Sequence, residues 1–488
     1  MDAKTIKNMG RTLRTFLAEF DDCFSRTEQR QHLQTYVNGQ LSDLERKSIE
    51  PIALAANVPP RTLQYFLSAS PWDGPRLRDR TQWITARDHS HPRAIGIIDE
   101  SGNPKKGDRT CGVQWQWCGN TGKIDNCVVA VHLAYAVDDF CCLLDSDLYL
   151  PREWADDPVR RQEAGVPPDV VYRKKTVIAL EQVRRALANG VRLSALTFDE
   201  FYGRDREFLD GLDSVGQDYV GEVPSDFTGW LHQPEVLQKP TAAQRRKRGR
   251  KRHFPRLARK ALPACEVRNL AVYSAVFTKQ RWKPFRIKDG EKGPIVWEVK
   301  YARFYRKHGP DALPGPAHTL IVARNVLDPN EVKYFVSNRL VGSPVVTLAW
   351  LLRVAFSRFP IERCFELGKN ELGMDHFEVR SWCAIHRHFY ISQLSQLFCA
   401  RVHQALREKN DRWSVPDGGA GSRGGLRMGH GSSVARFGSH QLLSAGGRID
   451  CLSPTSQPTG TKIPSQEDAR PLAKIGDKSQ SIEPLYTT

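Results

Sequence analysis

Two aspartates that each follow a short apolar stretch are the first candidates for chemistry in this sequence. Asp99 follows the apolar residues 94–98, and Asp199 ends the strand-like stretch 191–199. A carboxylate at the end of a buried strand is held by the sheet, and converging carboxylates can bind the divalent cations used in phosphoryl transfer. The alternative is that each aspartate begins a turn, as Asp often does after a strand.

A third acid precedes a lysine at helical spacing. Glu362 and Lys369 are seven residues apart, so two helical turns would present both on one face. Pro360 suits the start of a helix and would put Glu362 in its first turn. This pair could bind a metal ion and a phosphate, or it could belong to an exposed, ion-paired helix face.

The elements around the two aspartates predict an α/β fold. Strands at 94–98, 111–118 and 127–136 suggest an antiparallel meander. An amphipathic helix at 176–189 precedes the strand that ends at Asp199. A helix and a further strand follow. In a mixed sheet, the strands that carry Asp99 and Asp199 would lie side by side.

The flanking segments differ in character from this core. Residues 1–85 are predicted to be helical, and residues 225–345 to form a β-rich insertion. Within the helical part, residues 44–67 show a helix, a break and a second helix. This pattern suits a helix-turn-helix DNA reader with Arg61 and Gln64 facing a groove, or an ordinary helical hairpin.

The charge of the chain favours a polyanionic partner. The 488 residues carry a formal net charge of +17, so nucleic acid is the first expectation and a membrane surface the second. Residues 244–260 contain ten Lys or Arg and no acid, as in a phosphate-binding loop or a solvated tether. No run of about 18 apolar residues and no signal-peptide core are present, which predicts a cytoplasmic protein. The eleven cysteines form no CxxC pair, so neither zinc nor disulfides are expected.

Taken together, these stretches resemble bacterial insertion-sequence transposases of the DDE class, whose catalytic core is retroviral-integrase-like, with an RNase H-like fold. The resemblance extends from about Phe20 to about Leu406. A sub-group of the class carries the signature Tyr-x2-Arg-x3-Glu-x6-Lys. Arg358, Glu362 and Lys369 fit its spacing, and Ala355 stands at the tyrosine position. The matching stretches are 46–51, 63–67, Asp99 with 105–107, 122–127, 149–151, Asp199 with 202–203, 361–362 with Phe365 and Lys369, and 372–382.

The resemblance implies a function and a site. Asp99, Asp199 and Glu362 would be the catalytic, metal-binding acids, and would hold two Mg²⁺ ions, with Mn²⁺ as a substitute. The implied reaction is DNA cleavage and strand transfer at the terminal inverted repeats of an insertion sequence. The alternatives are a structure-selective nuclease of the same fold and a catalytically inactive DNA-binding derivative. The predicted DNA contacts are Arg358, Lys369, Lys105, Lys106, Arg245, Arg246, Arg248, Arg250, Lys251 and Arg252.

The resemblance also implies an organisation and partners. The expected partner is double-stranded DNA, at element ends and target, bound by a homodimer, and no membrane partner is expected. The expected location is the bacterial cytoplasm, in association with the nucleoid. The predicted parts are a helical DNA-binding domain (1–85), the first part of the RNase H-like core (86–224), a β-rich basic insertion (225–345), the C-terminal helices of the core (346–408) and a disordered Gly/Ser-rich tail (409–488).

Overall fold

A computed structural model of the chain describes residues 3–238, 254–290, 293–342 and 345–413. Five α-helices precede the first strand, and side chains such as Phe20, Leu63 and Phe66 bury their apolar face. The predicted helix, break and helix are present, with Asn57 at a left-handed φ of 54° in the break. The helices are α1 (Ala3–Ala18), α2 (Thr27–Gln40), α3 (Ile49–Ala55), α4 (Pro60–Ser68) and α5 (Gly74–Asp88), with a 3₁₀ turn at Asp21–Cys23.

Antiparallel strands form the first half of the main sheet. β3 pairs along one edge with β1, where Asp99 lies opposite His132 and Pro104 opposite Cys127. Along its other edge β3 pairs first with β2 and then with β4. Its residues 127–136 are all buried, as their nearly continuous apolar sequence predicts for a strand covered on both faces. The strands are β1 (Ile95–Pro104), β2 (Gln114–Cys118), β3 (Lys123–Val137) and β4 (Phe140–Leu148).

The structure corrects the sequence-based account of these strands in two places. β1 continues for five residues beyond Asp99, because its pairing with β3 extends to Pro104, so Asp99 lies in mid-strand and not at a strand end. β4 was not predicted: the meander expected from the sequence ends at residue 136, and β4 adds a further antiparallel strand to it. Both of its acids have cationic partners in the fold: Asp145 pairs with Arg185, and Asp147 pairs with Arg173 at 3.2 Å.

Parallel pairing completes the main sheet. β5 runs parallel to β1, with Thr197 opposite Ile97. β6 lies beside β5, where the Glu222 amide donates to the Phe198 carbonyl at 3.0 Å. This order of antiparallel and then parallel strands, flanked by helices, confirms the predicted RNase H-like mixed sheet. The elements are α6 (Arg152–Ala155), α7 (Pro158–Glu163), α8 (Lys175–Ala188), β5 (Ala195–Thr197), α9 (Glu200–Gly203), α10 (Arg206–Ser214) and β6 (Val220–Val223).

A second sheet is built mainly from long antiparallel strands and shares β6 with the first. β14 pairs with β6, so that Val336 lies opposite Gly221. The expected β-rich segment is therefore continuous, through main-chain hydrogen bonds, with the strand that carries Glu222. Its elements are β7 (Thr228–Trp230), β8 (Val236–Leu237), β9 (Arg256–Leu257), β10 (Cys265–Glu266), α11 (Val267–Tyr273), α12 (Ala275–Thr278), β11 (Lys283–Gly290), β12 (Gly293–His308), β13 (Leu313–Asn325) and β14 (Val332–Ser337).

Three helices follow the second sheet. α13 (Leu348–Ala355) leads to α14 (Phe359–Glu366), a π-helical turn (Leu367–Glu371) and α15 (Trp382–Trp413). α15 packs against β4, α5 and α4. Within it, Gln396 donates to the carbonyl of Cys364 at 2.8 Å and so holds α14 in place.

The boundaries predicted for the separate parts remain predictions. α15 continues to Trp413, five residues into the segment expected to be a disordered tail, and the rest of that segment lies outside the described residues. Most of the basic run at 244–260 also lies outside them. Within the described part of the chain, no helix combines the length and the apolar character needed to cross a membrane.

Candidate active site

Asp99 is fixed by the sheet and presents one oxygen to its surroundings. Its Oδ1 accepts a hydrogen bond from the Glu100 amide at 2.8 Å, while Oδ2 accepts one from Arg358 Nη2 at 3.2 Å. The residue is 9% exposed. One carboxylate oxygen thus orients the group, and the other is available to a cation.

In Asp199, too, one carboxylate oxygen orients the group and the other faces a cation. It caps the N-terminus of α9, where its Oδ1 accepts from the amides of Phe201 at 3.1 Å and Tyr202 at 3.4 Å. Such capping holds the side chain in one orientation. Its Oδ2 lies 4.0 Å from Arg358 Nη2. The parallel pairing of β1 and β5 explains why the two aspartates meet, as the sequence predicted for neighbouring strands.

Arg358 joins the two aspartates and contacts a third acid. Its Nη1 lies 3.6 Å from Glu222 Oε2, on β6. Glu222 also pairs with Lys333 of β14 at 3.0 Å. Sequence reasoning missed Glu222; the available signal was an acid within an apolar strand next to the strand that leads to Asp199.

Burial dominates the electrostatics of this cluster. It raises the pKa of Asp99 to about 6, against the opposing effect of Arg358 and with a further rise from the charge of Asp199. Burial also works against the charge on Arg358, but the nearby Asp99 and Asp199 carboxylates raise its pKa overall. The guanidinium therefore stays charged and acts as the counter-cation of the carboxylates.

The donor set suits a hard divalent cation. Asp99, Asp199 and Glu222 offer carboxylate oxygens, the ligands that Mg²⁺ and Mn²⁺ prefer. The positively charged Arg358 guanidinium contacts these oxygens, in the place that a metal cation would take. A metal ion held by Asp99 and Asp199 would therefore compete with Arg358 for the same oxygens.

Glu362 lies near this cluster without joining it directly. It is exposed in the first turn of α14, four residues after Arg358, the residue that caps this helix. Residues at this spacing are neighbours on one helix face, with Cβ atoms about 5–6 Å apart. Among the described residues, the oxygens of Asp99, Asp199 and Glu362 do not all lie within 4.8 Å of one another. The structure thus brings Asp99 and Asp199 together. Glu362, the third predicted acid, lies one helical turn from Arg358, the arginine that links the other two.

Lys369 lies in the π-helical turn that follows α14, so it is not separated from Glu362 by two regular α-helical turns as predicted. Its Nζ lies 3.5 Å from Asn120 Oδ1, in the turn between β2 and β3. Burial lowers its pKa. A π-turn adds a residue to the helical repeat and is frequent at functional sites. The side chain is partly exposed, so its ammonium remains accessible.

The two lysines of the turn after β1 differ in their surroundings. Lys105 donates to the carbonyl of Phe377 at 2.8 Å, and its Nζ lies 3.5 Å from the centroid of the Phe377 ring. Burial lowers the pKa of Lys105 to about 8. This lysine holds the turn against the segment before α15, which weighs against the predicted DNA contact. Lys106 is exposed. The predicted contacts Arg245, Arg246, Arg248, Arg250, Lys251 and Arg252 lie outside the described residues.

A second acidic cluster lies away from the candidate site. Asp210, Asp213 and His308 are the described residues that meet a three-ligand metal spacing. The fully buried guanidinium of Arg306 pairs with both aspartates through separate nitrogens. Because these carboxylates are already neutralised, we assign the cluster a structural role.

The exposed face of α4 is the other feature that sequence reasoning singled out. Leu63, Phe66 and Leu67 are buried, whereas Arg61 and Gln64 are exposed. Both residues are therefore accessible on one short helix, as a groove-reading helix would require.

Parts of this chain are similar to a known protein family and to a known transposase. The family model described as "DDE superfamily endonuclease" matches residues 19–294, more than half of the chain. The probable transposase for insertion sequence element IS701 of Microchaete diplosiphon is 34% identical over 205 residues, which are 41% of this chain and 49% of that protein. The chain thus spans about half the length of this curated relative.

Two solved structures share 10% sequence identity with the chain. One is the piggyBac transposase synaptic complex with hairpin DNA, with a TM-score of 0.35 over 81% of this chain and 74% of that one. The other is the NurA nuclease from Sulfolobus solfataricus, with a TM-score of 0.21 over 59% of this chain and 86% of that one. The strand order described above, and not these likenesses, establishes the fold.

Proposed function

Because the chain belongs to the family of DDE superfamily endonucleases, we propose that it is a DNA transposase that cleaves and joins DNA at the ends of an insertion sequence. The observation that carries the proposal is the meeting of Asp99 and Asp199 around Arg358. One carboxylate on β1 and one just after β5, its parallel neighbour, are each fixed through one oxygen and would form part of a rigid metal site. The name of the IS701 relative supports the same reading.

The proposed catalytic acids are Asp99, Asp199 and Glu362. Divalent cations held there, Mg²⁺ in the first instance, would supply Lewis-acid activation of the attacking hydroxyl and stabilise charge on the leaving oxygen. Glu362 would complete the site by a movement of the first turn of α14. Its exposure leaves room for that movement.

Arg358 and Lys369 would hold DNA phosphates next to the reacting bond. With a cation held by Asp99 and Asp199, the Arg358 guanidinium would be released from these two carboxylates and could form charge-assisted hydrogen bonds to a phosphate. Lys369 already faces the turn between β2 and β3 with a partly exposed ammonium. One arginine would thus have two successive partners, the acids and then the DNA.

The remaining parts would bind DNA beyond the reacting bond. We assign the helices of residues 1–85 and the basic insertion at 225–345 to the terminal inverted repeats and flanking DNA. The +17 charge of the chain suits this role. A homodimer would bring two ends together, in the cytoplasm where the host chromosome lies.

Separate substitutions of the acids test the proposal. The substrate is a supercoiled plasmid that carries the genomic sequences flanking this gene, and nicking, excision and strand transfer are scored with Mg²⁺. Asp99→Ala, Asp199→Ala and Glu362→Ala should each reduce cleavage to background while DNA binding in EDTA persists. Glu366→Ala, one turn further along α14 and also exposed, is the matched control and should cleave normally.

The outcomes separate the alternatives. If Glu362→Ala cleaves normally and Glu366→Ala does not, the third acid is Glu366. If the wild-type protein cleaves but transfers no strand to a target plasmid, it is a nuclease of the same fold. If the aspartate variants cleave as the wild type does, the proposed site is wrong.

A further inference from the structure

The end of the main sheet nearest Lys369 carries an exposed aromatic surface. β2 and residues 123–126 of β3 extend beyond the last residue of β1, so they form a two-stranded ribbon, here called the tryptophan ribbon. Trp115 and Trp117 alternate along β2 and lie on one face. Ile124 pairs with Trp117 on that face. These side chains are 72%, 58% and 64% exposed, respectively.

The tryptophans do not hold the ribbon in place. Its other face does so, through a small cluster of Cys118, Cys127 and Val129. Gly102 permits close contact there, because a Cβ at this position would lie 2.7 Å from the Cys118 sulfur. Among the described residues, neither tryptophan has an aromatic or cationic partner for its ring. By contrast, the guanidinium groups of Arg80 and Arg87 lie 5.2 and 4.7 Å from the centroid of the Trp83 ring.

Positive charge borders this face at both ends. Asn126, opposite Trp115, donates to the carbonyls of Lys105 at 2.9 Å and Gly107 at 2.8 Å, and so fixes the turn that exposes Lys106. At the other end, Asn120 accepts from Lys369 at 3.5 Å. The turn that ends the ribbon therefore contacts the π-helical turn that follows the helix carrying Glu362.

We propose that the tryptophan ribbon is a stacking site for unpaired nucleobases of the DNA strand next to the cleavage position. Aromatic rings beside lysines match the combination of base faces and phosphates in single-stranded DNA. Stacking on an exposed ring tolerates any base, so the ribbon would recognise strand separation and not sequence. The proposal rests on the proposed function, because the DNA reaches the ribbon from the candidate active site.

The test measures DNA binding without cleavage. The probes are a fluorescein-labelled 30-base-pair duplex and the same duplex with a five-thymine 3′ overhang, titrated with full-length protein in EDTA by fluorescence anisotropy. The wild type should bind the overhang duplex more tightly. Trp115→Ala and Trp117→Ala should each weaken overhang binding by about 5- to 150-fold, the range seen when a stacking aromatic is removed. Blunt-duplex binding should not change.

Matched variants keep the test decisive. Trp115→Phe and Trp117→Phe should retain most of the overhang preference, because phenylalanine still stacks. Trp83→Ala should retain all of it. Circular dichroism and thermal unfolding of the alanine variants should match the wild type, since the rings contribute little to the core.

Three results would overturn the proposal. The first is an unchanged overhang preference in the double alanine variant. The second is a wild type that binds both duplexes equally. The third is a change from dimer to monomer in sedimentation velocity with the overhang preference intact, which would make the face a contact between two copies. A wild type that binds neither duplex, at any salt concentration, would refute the proposed function as well.

Discussion

Replacing Asp99 by Asn should stabilise the metal-free protein in a pH-dependent way. Burial raises the pKa of Asp99 from 3.8 to about 6 in the folded protein. Between these values the folded chain retains a proton that the unfolded chain releases. Stability contributed by the protonated carboxyl is therefore present at acid pH and is lost as the pH rises through about 6.

The magnitude follows from the size of the pKa shift. A difference of 6 − 3.8 = 2.2 pH units, at about 1.4 kcal/mol per unit, costs the folded state about 3 kcal/mol above pH 6. Asn resembles the neutral carboxyl and avoids this cost. The free energy of unfolding of Asp99→Asn, relative to wild type, should rise by about 1.4 kcal/mol per pH unit between pH 4 and 6 and then level off.

Urea denaturation in EDTA at pH 4.5, 5.5, 6.5 and 7.5 measures this difference. Asp169→Asn, at an exposed acid in a turn away from the candidate site, is the control substitution. The reasoning is refuted if Asp99→Asn is no more stable than wild type at pH 7.5, or if the difference is flat across the series. Saturating Mg²⁺ at pH 7.5 should reduce the difference in free energy of unfolding between Asp99→Asn and wild type, because the ion binds the aspartate carboxylate of the wild type.

Three further predictions concern the charges around the site and the fold. Arg358→Ala should bind Mg²⁺ at least about fivefold more tightly in calorimetry, because a unit charge 4.0 Å from Asp199 is worth about 1 kcal/mol even in water. Arg353→Ala, which removes an exposed charge, is the control. Weaker Mg²⁺ binding by Arg358→Ala would contradict the competition between Arg358 and the ion for the carboxylates. Arg306→Ala should lower the free energy of unfolding by about 3–5 kcal/mol, because Asp210 and Asp213 lose their buried partner. The triple variant Arg306→Met, Asp210→Asn, Asp213→Asn should recover part of that loss. If added metal stabilises the wild type through this cluster, the cluster is a metal site instead. Arg61→Ala should weaken DNA binding and reduce the salt dependence by about one counterion if α4 contacts a phosphate; an unchanged slope in anisotropy titrations would favour an ordinary helical hairpin.

The sequence predicted the main elements well because apolar periodicity is local. The apolar stretch 127–136 and the amphipathic helix 176–189 appear as a buried strand and as α8 within one or two residues at most ends. The proximity of Asp99 and Asp199 followed from two strand-associated acids and the parallel pairing that a mixed sheet requires.

What the sequence could not predict depends on partners distant in the chain. β4 was not predicted, and the partners of its acids lie far away in the sequence: Arg185 is 40 residues from Asp145, and His386 is 239 residues from Asp147. Glu222 joins the site only through Arg358, and Lys105 is buried only through Phe377. The position of Lys369 depends on a π-helical turn, which side-chain periodicity does not reveal.

The sharing of β6 by both sheets joins the β-rich segment to the candidate active site. Without β14, β6 would become an exposed sheet edge, open to pairing with other chains. Glu222 would also lose Lys333 as a counter-charge and would draw Arg358 away from the aspartates. Deleting the insertion would thus change the electrostatics of the candidate active site as well as remove the surface that we propose for DNA binding. Chimeras that exchange insertions between relatives should therefore keep β14 and β6 from the same parent.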